Sequence, residues 1–194
     1  MTRGGSYSIS AKTRMNAPLF LTFLRIIAIP VLVIVLLSDF KGKEITSFVI
    51  FFLATLTDML DGFFARRKRQ ITVLGQLLDP TADKLLIASV LICLVEIRVV
   101  PAWMAVVIIG REIAVTGFRA IASSKGINIP ASVLGKIKMI LETGTIYLLL
   151  LGERILGPFY VLSKVGLWLI IVAALLSAAE YYMKYGPSVL SGRA

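Results

Sequence analysis

The segment Asp58-Met-Leu-Asp61-Gly62-Phe-Phe-Ala65-Arg66 places two acidic residues and an arginine inside an otherwise apolar part of the sequence. A second acidic pair, Asp79 and Asp83, follows a short way along the chain. Ionisable groups in apolar, membrane-like surroundings are costly, so they usually mark a functional site or an internal ion pair. These aspartates are therefore the first candidates for chemistry, and the apolar sequence around them indicates the fold.

The composition predicts an all-α integral membrane protein. Soluble domains are about 45–50% apolar, whereas 58% of these 194 residues are hydrophobic and the mean hydropathy is +0.89. The surplus has to face lipid. A helix of about 20 residues spans the roughly 30 Å hydrocarbon core of a bilayer. We expect six transmembrane helices, at residues 17–37, 45–65, 82–100, 102–122, 133–151 and 159–182.

The basic residues predict how these helices are oriented. They gather in the first 16 residues, at 66–69, at 125–138 and near the C-terminus, and the loops between these regions are poorer in them. Lys and Arg are enriched in cytoplasmic loops. Six crossings place both termini on the same side. We therefore expect both termini, and the acidic pairs, on the cytoplasmic side.

We expect one six-helix domain with a tail at each end. The domain covers residues 17–185, after a basic N-terminal tail at 1–16 and before a C-terminal tail at 186–194. A cleaved signal peptide is the alternative for the run 17–37, but that run is long and no small-residue cleavage site follows it. Three residues near the end of the last helix are expected to form an interfacial belt: Tyr181, Tyr182 and Tyr185.

Composition also excludes several classes of function. The net charge is +10, from 21 Lys and Arg against 11 Asp and Glu. In a soluble protein this balance would suggest nucleic-acid binding, but here it fits cytoplasmic loops and anionic lipid headgroups, so no nucleic-acid partner is expected. The chain has no histidine, which excludes Ser-His-Asp triads and His-ligated zinc. Its single cysteine, Cys93, cannot form an internal disulfide.

The two acidic pairs have the spacing of ligands on helices. The first pair is three residues apart and the second four, so each lies on one helical face, and a short link lets the two faces converge. Converging carboxylates repel one another unless cations neutralise them, and oxygen-only ligands favour Mg²⁺ or Mn²⁺. Gly62 and Gly75 allow a ligand close to the backbone, and Arg66 is placed to bind a phosphate. The alternative is that the acids pair with the basic residues 66–69 in a solvated loop.

The whole pattern resembles the signature of the CDP-alcohol phosphatidyltransferases. Eight positions agree at fixed offsets: Asp58, Asp61, Gly62, Ala65, Arg66, Gly75, Asp79 and Asp83. The resemblance implies a six-helix membrane fold that is usually a homodimer. It also implies an enzyme that transfers the phosphatidyl group of CDP-diacylglycerol to an alcohol and releases CMP.

The resemblance further implies the role of each residue. The metal ligands for Mg²⁺ or Mn²⁺ would be Asp58, Asp61, Asp79 and Asp83. Asp83 would in addition be the catalytic general base. The CDP-diacylglycerol contacts would be Asn16, Thr22, Arg25, Gly62, Ala65, Arg66, Thr72 and Gly75.

Three further motifs, at residues 16–25, 111–119 and 135–138, resemble the phosphatidylglycerophosphate synthases within that family. They imply glycerol 3-phosphate as the acceptor and the bacterial inner membrane as the location. Clustered cations suit a phosphate dianion, and the expected acceptor-binding residues are Arg111, Glu112, Arg119, Lys136 and Lys138. The first motif departs at residues 19–20, and Met139 and Glu142 replace a common Thr and Gln.

Alternatives remain at each level. In one alternative, Glu112 only neutralises Arg111 or Arg119 inside the bundle. In another, Lys136 and Lys138 set the topology of the chain or extend to the lipid headgroups. The acceptor is alternatively inositol phosphate, serine or phosphatidylglycerol. From other classes of function, a cation transporter would line its path with the acids, and an inactive interaction protein would keep only the fold.

Overall fold

Six α-helices and one short 3₁₀ helix account for most of the part of the chain that the structure describes. This computed structural model describes the backbone of residues 17–68, 73–127, 129–130 and 132–191, and the side chains of residues 20–57, 81–127, 129–130 and 132–189. The helices are α1 (Ala17–Leu37), α2 (Lys43–Lys68), α3 (Val73–Glu96), α4 (Ala102–Ser124), α5 (Val133–Leu156) and α6 (Val161–Ser191), with the 3₁₀ helix at Gly157–Tyr160 between the last two. The predicted all-α class is confirmed.

The helices form an up-and-down bundle. α1 packs against α2 and α3, α5 packs against α6 and α2, and α4 packs against α6 and α3. α4 and α6 run parallel, because Trp103 contacts Trp168 near the start of both helices and Phe118 contacts Tyr182 further along both. We call the end where α1 begins and α6 ends the terminal end, and the other the opposite end.

The interior of the bundle is apolar, and so is much of its outer surface. All six helices contribute buried side chains to one core: Leu32, Phe51, Leu86, Val90, Ile108, Ile146 and Ile170. Large apolar side chains also point outward, among them Val106, Ile113, Ile140 and Met183, each at least 67% exposed. Helices that are apolar on both faces suit a lipid environment.

Two stretches of the described residues are long and apolar enough to cross a membrane. They are Phe20–Leu37, which is most of α1, and Val133–Val189, which covers most of α5 and α6 and the turn between them. The predicted crossings at 45–65, 82–100 and 102–122 lie outside both stretches, and the total of six crossings stays a prediction. Polar residues at the terminal end of α2, α3 and α4 interrupt the apolar runs there.

The predicted bounds of two helices were wrong. α3 begins at Val73 rather than at residue 82, so Asp79 and Asp83 lie inside a helix and not at its start. The polar residues there ended the apolar run, but a helix needs only its backbone hydrogen bonds to continue. α6 extends to Ser191, nine residues beyond the predicted end and into the expected C-terminal tail. There Lys125 donates to the carbonyl of Val189 (2.6 Å), which ties the last turn of α6 to α4.

Two helix ends depend on backbone conformations outside the right-handed region. α3 stops at Glu96, where the amides of Val99 and Val100 bond back to Leu94 (2.8 and 3.1 Å) and Arg98 has a φ of 61°. The predicted turn at 152–158 begins with Gly152, whose φ is 67° and ψ 171°. Glycine reaches such angles without a steric penalty, and the chain leaves the axis of α5 at this residue.

Candidate functional site

Both acidic pairs lie on continuous helix near the terminal end of the bundle. The backbone of α2 is helical through residues 58–61, and that of α3 through residues 79–83. Each pair therefore occupies one helical face, as the spacing predicted. Several predicted site residues lie outside the residues or side chains that the structure describes, and their roles stay predictions: Asn16, Asp58, Asp61, Gly62, Ala65, Arg66, Thr72, Gly75 and Asp79.

Asp83 is the one predicted metal ligand whose side chain is described. It is half-buried on α3, and its charge acts on the neighbouring Lys84 and on Glu142 of α5. The predicted base thus lies next to the helix that carries the third motif. Over the described side chains there is no group of three or more acidic, cysteine or histidine residues able to hold a metal ion. The other three predicted ligands are not among those side chains.

Near Asp83, four charged side chains form an ion-pair cluster. They are Arg111 and Glu112 of α4 and Lys138 and Glu142 of α5. Glu112 accepts hydrogen bonds through Oε1 from Arg111 (2.5 Å) and from Lys138 (2.6 Å). Lys138 also donates to Oε2 of Glu142 (2.6 Å). Two cations and two carboxylates balance, so the cluster carries no net charge. Lys138 and Glu142 are only 2% and 4% exposed, which makes these pairs part of the bundle interior.

The ion-pair cluster also joins α4 to α6. Arg111 uses its Nη2 to donate to the hydroxyl of Ser177 (2.6 Å), and Ser177 donates to the carbonyl of Ala174 (3.1 Å). Removing one partner from a buried ion pair destabilises a protein by about 3–5 kcal/mol, because the other charge is left uncompensated. The pairing of Glu112 with Arg111 agrees with the alternative interpretation, in which Glu112 neutralises Arg111 or Arg119 inside the bundle, and Lys138 is a second partner.

Two other predicted acceptor residues, Arg119 and Lys136, are exposed. Arg119 donates through Nη2 to the carbonyl of Ile129 (3.1 Å), in the loop between α4 and α5. Lys136 lies in the first turn of α5, where Ser132 caps the helix by accepting from the amide of Gly135 (3.0 Å). The predicted set of five thus divides into a buried, mutually neutralised group and an exposed pair.

Lys84 is a residue of this site that the sequence interpretation missed. Its ammonium donates to the hydroxyl of Thr116 on α4, and that hydroxyl donates to the carbonyl of Glu112 (2.6 Å). The charges of Glu112, Arg119 and Lys138 all act on Lys84. The signal was present, because Lys84 is a charge inside an apolar run in the same way as the aspartates.

Thr22 and Arg25 of the first motif are buried on α1, at 2% and 1% exposure. Arg25 donates through Nε to the carbonyl of Ala54 on α2 (3.3 Å), one helical turn before Asp58. The part of the first motif that lies on α1 therefore packs directly against α2, the helix that carries the first acidic pair. By contrast, Tyr181 is not part of an outward-facing belt. It is buried, and its hydroxyl accepts from the amide of Ser132 (2.8 Å).

The sequence model of the CDP-alcohol phosphatidyltransferases matches residues 15–179. That match includes all three motifs, both acidic pairs and the ion-pair cluster. The chain belongs to the CDP-alcohol phosphatidyltransferase family. The predicted resemblance is thereby confirmed over most of the chain, and the helices described above belong to a transferase of this family.

Relatives within the CDP-alcohol phosphatidyltransferases carry more specific names. A Bacillus subtilis protein named CDP-diacylglycerol–glycerol-3-phosphate 3-phosphatidyltransferase is 36% identical over 185 residues, which covers 87% of this chain and 94% of the relative. A Rickettsia bellii protein of the same name is 31% identical and covers 86% and 93%. A Mycobacterium tuberculosis protein named probable phosphatidylglycerophosphate synthase is 33% identical and covers 89% and 83%.

Proposed function

We propose that this protein transfers the phosphatidyl group of CDP-diacylglycerol to sn-glycerol 3-phosphate, which yields phosphatidylglycerophosphate and CMP. Membership of the family and the names of the three relatives support this reaction. The structural observation that carries it is the position of Asp83 next to Lys84 on α3, where the charges of Arg119 on α4 and Lys138 on α5 also act. A carboxylate next to cations suits an acceptor that has both a hydroxyl to deprotonate and a phosphate to hold.

Asp58, Asp61, Asp79 and Asp83 are proposed to hold Mg²⁺ or Mn²⁺. Two observations support the fit: all four donors are carboxylates, the ligand type that hard divalent cations prefer, and both pairs lie on continuous helix. When bound, the metal would offset the charge of the pyrophosphate and of the departing CMP. Four carboxylates in one place would otherwise repel one another.

The residues of this chain then have distinct tasks. Asp83 takes the proton from the acceptor hydroxyl as its oxygen bonds to the phosphorus of the phosphatidyl group, and the bond from that phosphorus to the CMP oxygen breaks. The proposed contacts that hold the CDP-diacylglycerol are Asn16, Thr22, Arg25, Gly62, Ala65, Arg66, Thr72 and Gly75. The buried position of Thr22 and Arg25 against α2 supports their share of this role.

The setting of the reaction is also part of the proposal. We place the chain in the bacterial inner membrane with six crossings, as a homodimer, with both termini and the active site in the cytoplasm. The two candidate spans, the outward apolar side chains and the alternation of basic loops support this arrangement. Glycerol 3-phosphate is a soluble dianion, so a site at the cytoplasmic end would receive it directly from water.

Purified protein in detergent or vesicles tests the reaction directly. It is supplied with CDP-diacylglycerol, Mg²⁺ or Mn²⁺, and labelled glycerol 3-phosphate, and both CMP and lipid-phase label are measured. We expect label in the lipid in a one-to-one ratio to CMP. Label entering instead from inositol phosphate, serine or phosphatidylglycerol would change the acceptor. Metal flux into vesicles without any CMP release would support the cation transporter.

A further inference from the structure

The cations near Asp83 differ in what neutralises them. Arg111 and Lys138 have carboxylate partners at 2.5–2.6 Å, and the side chain of Lys138 is 3% exposed. A dianion approaching this pair would meet two carboxylates with them, so their net attraction for a phosphate is small. These two residues link α4, α5 and α6. Their charges are compensated by Glu112 and Glu142, so they attract a ligand anion only weakly.

Lys84 and Arg119 have uncharged groups as their hydrogen-bond partners instead. Lys84 donates to the hydroxyl of Thr116, and Arg119 donates to the carbonyl of Ile129. Lys84 is half-buried and Arg119 is exposed, so both are more accessible than the buried Lys138. Neither of these hydrogen-bond partners carries a charge, and the charges of Glu112 and Asp83 act on Lys84 without a described hydrogen bond to its ammonium.

Lys84 bonds to Thr116, and Thr116 lies three residues before Arg119 on one face of α4, so the charges of Lys84 and Arg119 act on each other. Two like charges repel in a site of low dielectric constant, and an anion bound between them relieves that repulsion. Lys84 directly follows Asp83 in α3. A phosphate held at Lys84 would therefore leave the other end of a three-carbon acceptor beside the base.

We infer that Lys84, with Arg119, binds the phosphate of the acceptor, and that Thr116 positions the ammonium of Lys84. This assignment rests on the proposed function, and it adds to the expected acceptor residues one that no motif indicated. It moves Arg111 and Lys138 from phosphate binding to support of the fold. The ligand chemistry is that of a phosphate monoester, and the pyrophosphate of CDP-diacylglycerol is the other possible source of an anion here.

Separate measurements of KM for the two substrates distinguish these sources. For Lys84→Met we expect KM for glycerol 3-phosphate to rise about tenfold or more, the size of losing one charge-assisted hydrogen bond. KM for CDP-diacylglycerol should stay within about twofold of wild type, because a phosphate contact at the acceptor does not touch the donor. Lys84→Arg should recover part of the acceptor affinity. An equal or larger rise in KM for CDP-diacylglycerol would overturn the assignment.

Two further variants guard against a general loss of folding. Lys164→Met removes an exposed lysine of α6, whose ammonium lies 5.9 Å from the ring of Tyr160 at the opposite end, and should change neither KM. Thr116→Val keeps Lys84 but removes its hydroxyl partner, and should raise KM for glycerol 3-phosphate by a smaller factor than Lys84→Met. An unchanged acceptor KM in a folded Lys84→Met protein would also refute the assignment.

Binding of inorganic phosphate separates this inference from the proposed function. Wild-type protein should bind inorganic phosphate, measured by calorimetry or by a thermal shift, and Lys84→Met should bind it about tenfold more weakly. If wild type fails to label lipid from glycerol 3-phosphate yet shows this difference, the acceptor is wrong and the phosphate site stands. If wild type makes the product and Lys84→Met binds phosphate as tightly as wild type, the phosphate site is wrong and the function stands.

Discussion

At the scale of single residues, neighbouring charges in this bundle do different work. Asp83 and Lys84 are adjacent on α3, and we assign the first to proton transfer and the second to phosphate binding. Arg111 and Glu112 are adjacent on α4 and bond to each other at 2.5 Å. The difference lies in the partners: a charge that already has an opposite charge at contact distance has little left for a ligand.

Replacing the proposed base tests the role of Asp83. Asp83→Asn keeps the size of the side chain but removes its ability to accept a proton, so CMP release should fall by about 100-fold or more. The folded state should persist, as judged by size-exclusion chromatography. Asp39→Asn is the matched control, because Asp39 is fully exposed at the opposite end and pairs with Lys43 (3.4 Å). Retained turnover in Asp83→Asn would remove its assignment as base.

The ion-pair cluster gives a prediction about stability rather than catalysis. Lys138→Met removes the cation that pairs with the buried Glu142 and should lower the free energy of unfolding by about 3–5 kcal/mol. Glu142→Gln should lower it less, because the amide oxygen can still accept from Lys138. Thermal unfolding of the purified variants measures both. Equal effects of the two substitutions would contradict this prediction, because they would mean that the hydrogen bond kept by the amide contributes nothing once the charge of Glu142 is removed.

The sequence predicted the site residues unevenly. The four aspartates could be proposed as metal ligands because their spacing is fixed along one chain and their charge is costly in apolar surroundings, and this role stays a prediction. The sequence could not show that Arg111 pairs with a carboxylate whereas Arg119 bonds to a backbone carbonyl, although both lie on α4. Which carboxylate a cation meets depends on how α4 is rotated against α5 and α6, and that is decided by packing between helices rather than by spacing within one.

At the scale of helices, the beginnings were predicted where a local signal exists. α4 starts directly after Pro101, and α5 starts after the capping residue Ser132, and both starts agree with the prediction. α3 has no such apolar signal at its start, because its first turns carry glycine and polar residues, and its predicted start was nine residues late. Hydrophobic runs locate the part of a helix in lipid, not its full hydrogen-bonded length.

One close contact between α5 and α6 sets a testable limit on packing. A Cβ added at Gly166 would lie 3.0–3.1 Å from carbon atoms of the buried Thr145. Gly166→Ala should therefore push the two helices apart and destabilise the protein by about 1–3 kcal/mol. Gly144→Ala on α5 is the control, since a Cβ there meets nothing within 4 Å. We expect that variant to unfold at or above the wild-type temperature. A tolerated Gly166→Ala would show that the contact is loose.

At the scale of the whole molecule, the bundle has a polar terminal end and a mostly apolar body. The described cations near Asp83 and the ion-pair cluster lie toward the terminal end, and both proposed substrates carry phosphate. A net charge of +10 also favours association with anionic lipid. The cytoplasmic orientation that we propose therefore places the site where soluble acceptor and membrane-bound donor meet.

Single cysteines at the two ends test that orientation. Asp39→Cys, exposed at the opposite end, should react in intact cells with a maleimide that does not cross membranes. Ser123→Cys, exposed at the terminal end of α4, should react only after the cells are permeabilised. The native Cys93 is buried and should stay unreactive in both cases. The reverse pattern of labelling would place the site outside the cytoplasm.

The pairing inside the ion-pair cluster has a consequence for biogenesis. Arg111 and Glu112 neutralise each other within α4, and Lys138 and Glu142 do the same within α5, four residues apart. Within the cluster, the bond from Lys138 to Glu112 joins the two helices. Each segment can therefore leave the insertion machinery with its cluster charges compensated, before any neighbour has arrived. The later meeting of α4 and α5 then adds one bond between groups that are already paired, rather than rescuing a stranded ion in lipid.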